Sequence, residues 1–306
     1  MAPDVTAVVV AYRSRGDLPA CLEALGPAAE GLELETVVVD NASGDGTADL
    51  VREGFPRVRL IENTANRGFA AAVNQGARVA RGRHLLLLNP DARPAPACVR
   101  TLVAALDARP EAGLAGPQLR NPDASPQTSA WLAPSLQTLG FEALFLYNLF
   151  PRSRLHGLRA GGPEPAEVET VSGACLLVAR PLFEELGGLD ERFFLYFEDA
   201  DLCVRARAVG REVLLVPAAT AVHALGGSAF QDRRGFLLRF HESRQRFLRK
   251  HHGGLHGSLL RAVHVAGLVL RVPAYAVASV LGGGAPLRER ASHHAAVLRH
   301  LWSGRS

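Results

Sequence analysis

A chain of 306 residues with 48% apolar and 21% charged residues is long and apolar enough to bury a sizeable core, which excludes intrinsic disorder. Its four cysteines, Cys21, Cys98, Cys175 and Cys203, form no Cys-x-x-Cys pair, so neither a disulfide framework nor a zinc knuckle is indicated and a reducing cytoplasm is the simplest home. The net charge of +4 hides an asymmetry: from Asp232 onward thirteen Arg or Lys face three acids, a surplus of +10, while the first 231 residues carry −6. The basic part points to an anionic surface or a nucleic acid. Eight of the eleven histidines lie there too, so this region is expected to gain positive charge at mildly acid pH.

From Asp4 the chain enters an apolar run, 5–12, without a basic leader or cleavage site, which argues against a secretory signal and for a first strand. Further strands are expected at 36–40, 58–62 and 84–89. Between them, 17–25 places Leu18, Cys21, Leu22 and Leu25 on one helical face, and 68–80 places Phe69, Ala72, Val73, Gly76 and Val79 on another. Alternating strands and helices predict an α/β fold: a mostly parallel central sheet flanked by helices. Residues 117–165 lose this regularity around one apolar patch, 136–150, and read as a variable region on the acceptor side. Order returns with a strand at 169–179, a helix from Pro181 closed by Gly187 and Gly188, a helix at 199–209 and a strand at 212–216.

Past Asp232 the pattern is helical, with Phe236, Phe240, Ser243 and Phe247 on one stripe. The apolar stretch 259–281 is long enough to span a membrane, but Arg261, His264 and Arg271 on one side, with Pro273, favour a helix lying in the interface. The expected division is a catalytic domain at 1–231, its nucleotide-binding half at about 1–117 and its acceptor half at about 118–231, followed by a basic helical appendage at 232–306.

In an open parallel sheet, ligands bind beyond the carboxyl ends of the strands. Those ends here carry Tyr12, Arg13 and Ser14, then Asp40, Asn41 and Ser43, then Asn63, Asn66 and Arg67, then Asn89, Pro90 and Asp91. Singly each has a plain alternative: Asp40 as a helix cap, Asn89-Pro90-Asp91 as a common turn. Together they form a wall of hydrogen-bonding groups that suits a nucleotide diphosphate. Further on, Glu198, Asp199 and Asp201 open a helix whose later turns carry Arg205 and Arg207, an order the helix dipole alone would favour. The preceding Phe193, Phe194, Tyr196 and Phe197 shift the reading toward catalysis, because apolar walls raise the basicity of a carboxylate. His223 closes a strand, and Gly226-Gly227-Ser228 after it reads as a loop that closes over a bound ligand.

The stretches 8–14 (VVVAYRS), 38–47 (VVDNASGDGT), 66–76 (NRGFAAAVNQG), 87–91 (LLNPD) and 197–205 (FEDADLCVR), with His223, resemble the ordered motifs of family 2 glycosyltransferases of the GT-A fold, and most nearly their bacterial rhamnosyltransferase-like branch. The resemblance covers about residues 5–250. It implies that Asp40, with Ala11, Tyr12 and Arg13, holds the nucleobase, with Asn41, Arg67 and Asn89 also on the nucleotide-sugar side. It implies that Asp91 and His223 hold a divalent metal, Mn²⁺ or Mg²⁺, and that Asp199 is the catalytic base beside Glu198. Asn89 stands where many relatives carry an aspartate. Trp131 and Gly173 are candidates for the acceptor side.

The implied reaction is inverting transfer of a sugar, rhamnose by branch resemblance, from a dTDP- or UDP-sugar to a cell-surface polysaccharide or lipid-linked acceptor. The expected site is the inner face of the cell membrane, reached from the cytoplasm, with the basic helices on phospholipid and no nucleic acid bound. A sugar-nucleotide pyrophosphorylase and a non-catalytic nucleotide-sugar-binding module are the alternatives. The former usually has a glycine-rich, arginine-containing loop and a phosphate lysine, whereas the only lysine here is Lys250. A nicotinamide dehydrogenase lacks its Gly-x-Gly-x-x-Gly after the first strand.

Overall fold

The structure is a computed structural model that describes residues 2–150, 153–157, 162–224 and 233–302. The strands are β1 (Val5–Ala11), β2 (Leu34–Asp40), β3 (Arg59–Glu62), β4 (His84–Leu88), β5 (Ala92–Pro94), β6 (Ala112–Arg120), β7 (Ala130–Trp131), β8 (Ala166–Glu167), β9 (Thr170–Val171), β10 (Cys175–Ala179) and β11 (Glu212–His223). The helices are α1 (Leu18–Ala28), α2 (Thr47–Gly54), α3 (Phe69–Val79), α4 (Cys98–Asp107), α5 (Leu136–Ala143), α6 (Leu146–Leu149), α7 (Arg180–Glu185), α8 (Glu198–Ala208), α9 (Arg233–His251), α10 (Gly254–Ala278) and α11 (Gly284–Trp302). They group into two compact units, one within 1–131, 157–194 and 198–231, the other within 132–156, 195–197 and 232–306.

The first unit is built on a sheet of nine strands among the described residues, in the order β3-β2-β1-β4-β10-β6-β11-β5, with β8 beside β11. β3, β2, β1 and β4 run parallel, and β10 enters antiparallel to both β4 and β6. The central strands are almost unbroken Val and Leu because both faces are covered. Alternation divides them: Val5, Ala7, Val9 and Ala11 join the cluster under α1 and α4, while Val10, Val37 and Val39 join the cluster under α3 and α8.

Residues 112–120 form a strand of the sheet, so its order extends into the stretch expected to be irregular; α4, between Pro96 and Arg109, was not expected from the pattern. The stretch 169–179 is two strands rather than one. β9 pairs with β7 in a small separate sheet, and residues 172–174 bend between it and β10. β11 continues past Val216 to His223 through an irregularity at 216–220. Helix α8 is fastened by a buried ion pair: Arg205 Nε donates to Asp201 Oδ2 at 2.7 Å, and its two terminal nitrogens donate to the carbonyls of Leu186 and Gly188 at 2.8 Å each. Such a pair holds because each of the three guanidinium nitrogens has an acceptor.

The second unit is helical. The expected stripe on α9 is used in full: Phe236 and Phe240 pack with Tyr196 at 5.0 and 5.9 Å between ring centroids, Phe240 and Phe247 pack with Phe197 at 5.3 and 5.6 Å, and Ser243 Oγ donates to the Leu195 carbonyl at 2.8 Å. Arg244 pairs with Glu142 on α5 at 2.6 Å and lies over the rings of Phe240 and Phe197. On α10 the inward face carries Leu260 and Leu268 together with buried His264, and Arg271 donates to the Glu142 carbonyl at 2.8 Å. Leu255, Leu259, Ala262, Ala266, Leu270, Pro273 and Val277, with Leu281 just beyond the helix, form a second, solvent-facing apolar stripe.

The histidines correct one expectation. His241 Nδ1 and His264 Nε2 are 2.9 Å apart, Gln245 Nε2 donates to His264 Nδ1 at 2.9 Å, and His294 packs on Tyr275. Burial pushes all three imidazoles below the ordinary histidine range, and the neighbouring Arg244 and Arg271 add to the effect on His241 and His264. They therefore resist the protonation expected of an exposed basic tail. Their unfolded value is about 6.5, so the stability they carry is complete above that pH and is lost as pH falls below it. Thermal unfolding between pH 7.5 and pH 5 is expected to show a falling Tm, and the His264→Gln variant a shallower fall than the parent chain.

Candidate active site

The site grows from the carboxyl ends of β1, β2 and β4. Ala11 is paired with Asp40, and the Ala11 carbonyl accepts the N–H of Asn41 at 2.8 Å. Arg13 turns the chain with φ of +52° and donates its N–H to Ser43 Oγ at 2.9 Å, its guanidinium lying 5.4 Å from the Tyr12 ring. Asp40 is buried; its Oδ2 accepts from the Ser43 N–H at 3.3 Å, and its Oδ1 has no hydrogen-bond partner among the described residues. A buried carboxylate oxygen without a donor is costly.

Asn41 differs from the exposed Arg13 and Arg67. Its amide donates to Asn66 Oδ1 and to the Gly68 carbonyl at 3.0 and 3.1 Å, and its oxygen accepts from Asn63 Nδ2 and the Arg67 N–H, both at 3.0 Å. Its capacity is spent and it is buried, so it fixes the loop that presents the exposed Arg67 rather than offering a free amide of its own. Gly68, at φ of +84°, is required here because a Cβ would stand 2.6 Å from the Phe194 carbonyl, which accepts the Phe69 N–H at 2.8 Å.

The second wall comes from β4, β10 and β11. Asn89 N–H donates to the Ala174 carbonyl at 3.0 Å, so the Asn89-Pro90-Asp91 turn lies directly beside the 172–174 bend. Within that bend, the Gly173 N–H donates to Asp199 Oδ2 at 2.7 Å, and the Ala200 N–H, at the start of α8, donates to Oδ1 at 2.7 Å. A Cβ on Gly173 would lie 3.0 Å from the Asp199 Cβ, so glycine permits this approach. Burial raises the Asp199 carboxyl above its ordinary range and outweighs the two backbone donors that oppose it.

On the far side of the turn, His223 is paired with Ala92 and its Nε2 lies 3.4 Å from Asp91 Oδ1 and 3.5 Å from Asn89 Nδ2. The structure thus brings Asn89, Asp91, Gly173, Asp199 and His223 to one edge of the first unit. Trp131, also in this unit, is exposed on β7, its carbonyl accepting from Thr170 Oγ1 at 3.0 Å. The loop at 226–228 and the expected boundary at 231/232 lie outside the described residues.

Sequence reading missed Gln127. It sits on the tight turn after β6, buried, with its Oε1 2.9 Å from His223 Nδ1. Its one signal was its place between the polar run Asn121–Ser125 and a strand, which is too common to single out.

The family model described as glycosyl transferase family 2 matches residues 6–187. An N-acetylglucosaminyl-diphospho-decaprenol L-rhamnosyltransferase of Mycobacterium tuberculosis is 34% identical over 278 residues, 86% of this chain and 90% of that protein. Among solved structures, the mannosyltransferase PcManGT from Pyrobaculum calidifontis, in complex with GDP-Man and Mn²⁺, superposes with a TM-score of 0.55 at 21% identity, covering 97% of this chain and 86% of that one. GalNAc-T7 with UDP, GalNAc and Mn²⁺ gives a TM-score of 0.54 at 16% identity over 87% of this chain and 54% of that one. The two structures share the GT-A architecture of sheet and flanking helices.

Glu198 is buried, its Oε2 lacks a partner among the described residues, and burial followed by the charge of Asp199 pushes its carboxyl well above the ordinary range. A raised acid contributes stability while protonated and loses it as pH rises through its folded value. The Glu198→Gln variant is therefore expected to unfold at a higher temperature than the parent chain at pH 8. The gap should narrow toward pH 5, by about 1.4 kcal/mol for each unit of upward shift. A gap independent of pH would remove the charge on Glu198 as its cause.

Proposed function

The chain belongs to glycosyltransferase family 2, and from that premise we propose that it transfers a sugar with inversion from a nucleotide diphosphate donor to a lipid-linked acceptor at the inner face of a membrane. One observation carries the reading: a carboxylate of raised basicity, Asp199, is bonded to the same bend that pairs with the Asn89-Pro90-Asp91 turn. Membership of this family sets the pyrophosphorylase reading aside.

Asp199 takes the proton of the attacking acceptor hydroxyl. The new bond forms to the anomeric carbon from the face opposite the departing nucleotide diphosphate, whose oxygen keeps the electron pair of the broken bond, so the anomeric centre inverts. Gly173 and the N-terminus of α8 hold the carboxylate in place through their N–H groups. Asp40, whose Oδ1 has no partner among the described residues, suits a nucleobase N–H, and Tyr12, Arg13 and Arg67 border the base and phosphates.

The residues also fit a divalent cation. His223 Nε2 and Asp91 Oδ1 face each other at 3.4 Å, a nitrogen and an oxygen that a shared cation satisfies. When bound there, Mn²⁺ or Mg²⁺ would neutralise the charge that develops on the leaving diphosphate, and the imidazole favours Mn²⁺. Both structures named above hold Mn²⁺, one with GDP-Man and one with UDP and GalNAc, which supports the same reading. The lipid-linked acceptor is supported by the named acceptor of the mycobacterial relative, whose sugar points to rhamnose and so to a dTDP donor, with UDP-sugars as the alternative. Gly173, and Trp131 as a stacking ring, are assigned to the acceptor side.

The solvent-facing stripe of α10 and the basic residues of the C-terminal region, 232–306, support a peripheral membrane position reached from the cytoplasm. The catalytic region is assigned to 1–231.

Asp199→Asn is expected to lower sugar transfer by about 10²–10⁴-fold while nucleotide-diphosphate binding stays within a few-fold, measured over a panel of dTDP- and UDP-sugars. Unchanged transfer would end the assignment of the base, and unchanged biological activity without any transfer would favour a non-catalytic binding module. For the membrane, replacing Leu259, Leu270 and Val277 together by Glu is expected to weaken flotation with anionic vesicles by more than about tenfold, since each apolar side chain is worth about 1.5–3 kcal/mol when buried. Flotation of the triple variant at the parent level would assign binding to charge alone, which raised salt would then abolish.

A further inference from the structure

The turn after β6 is held more firmly than a connection needs. Gln127 N–H donates to the Leu119 carbonyl at 2.9 Å, and the Gln127 carbonyl accepts from Gln118 Nε2 at 3.0 Å. Gln118 in turn donates to Ser129 Oγ at 2.8 Å and to the Leu119 carbonyl at 2.8 Å. Both glutamines are buried. Asn121 closes the turn by donating to Ser125 Oγ at 2.9 Å.

The orientation of the Gln127 amide follows from its neighbours. Its Nε2 donates to the His223 carbonyl at 3.1 Å and to Asn121 Oδ1 at 2.8 Å, and a carbonyl can only accept, so the nitrogen end is fixed there. The other end is then an oxygen, and it lies 2.9 Å from His223 Nδ1. An oxygen facing a ring nitrogen requires the proton on that nitrogen. Nδ1 therefore carries hydrogen, and in the neutral ring Nε2 keeps its lone pair, aimed at the gap before Asp91.

We propose that Gln127 is a positioning residue: it locks His223 in the Nδ1–H tautomer so that Nε2 and Asp91 together present a ready pair of donors to a divalent cation. Gln127 touches neither donor sugar nor acceptor in this role. It grips His223 twice, through the ring and through the carbonyl, so the ring can neither rotate nor exchange tautomers without breaking a buried bond. This rests on the metal assignment made above, but the tautomer is a property of the metal-free protein and can be read without it.

The test is ¹⁵N-resolved two-bond NMR of the imidazoles in the metal-free full chain at pH 8, with His223 assigned by its loss in His223→Gln, followed by titration with Mn²⁺ alone. The parent chain is expected to show His223 as the Nδ1–H tautomer. Gln127→Leu, of similar size, is expected to move it toward Nε2–H and to weaken Mn²⁺ binding by about 10–100-fold. An Nε2–H signal in the parent chain overturns the proposal outright, whether or not the variant folds. A variant that keeps both the tautomer and the affinity overturns it too. An Nδ1–H tautomer with no Mn²⁺ binding by the parent chain would strike the metal assignment and leave Gln127 only a structural tie.

Discussion

The antiparallel pairing of β10 with β4 is the constraint on which the site depends. It places Cys175 opposite Leu88, so the next hydrogen bond along the ladder, from Asn89 N–H to the Ala174 carbonyl, fixes the Asn89-Pro90-Asp91 turn against the 172–174 bend. Everything chemical follows from that bond within one or two residues. Gly173 reaches Asp199 on one side, and β5, leaving the turn, pairs with β11 and brings His223 to Asp91 on the other. A strand entering parallel at this position would have put its carboxyl end, not its amino end, beside the turn. The local antiparallel step in an otherwise parallel half is thus what lets Asp199 and the Asp91–His223 pair share one edge.

The balance of desolvation and hydrogen bonding decides which carboxylate does what. Asp199 and Glu198 are adjacent, and both are raised by burial, but Asp199 has two backbone N–H donors to stabilise its charged form whereas Glu198 Oε2 has no partner among the described residues. The first can hold a negative charge and accept a proton; the second is better protonated. Asp201, fully buried, is committed to Arg205 and so belongs to the anchoring of α8. Three acids within four residues are thereby given different tasks by their surroundings alone.

Much of this was legible in the residues. The strand ends were, because a buried parallel strand is a bare apolar run whose end is marked by the first polar residue, as at Asp40 and Asn89. The pairing of Asp91 with His223 was not, since 132 positions separate them and nothing in a lone histidine distinguishes a ligand from a packed ring. It entered only through resemblance to a family. Asn41 shows what a strand-end position leaves out: its bonds to Asn63, Asn66, Arg67 and Gly68 also make it the joint of the loop. Long-range hydrogen bonds of this kind leave no periodic trace. The apolar patch at 136–150 and the helical pattern beyond 232 were visible, but which apolar residues of α10 turned outward was settled by Leu260, His264 and Leu268 packing inward, a choice that only packing can make.

One segment ties these levels together. Tyr196 and Phe197 both adopt left-handed backbone conformations, at φ of +70° and +68°, which bulky side chains rarely tolerate and which cost of the order of 1–3 kcal/mol each. Residues 195–197 belong to the helical unit, although the chain on either side of them belongs to the sheet. Their compensation is the ring packing of Phe236, Phe240 and Phe247 and the bond from Ser243 to the Leu195 carbonyl. The very next residue is Glu198, and then Asp199. The strained backbone at Tyr196 and Phe197 is therefore held within the helical unit by a helix more than thirty residues downstream, which gives the aromatic stripe of α9 a structural task of its own.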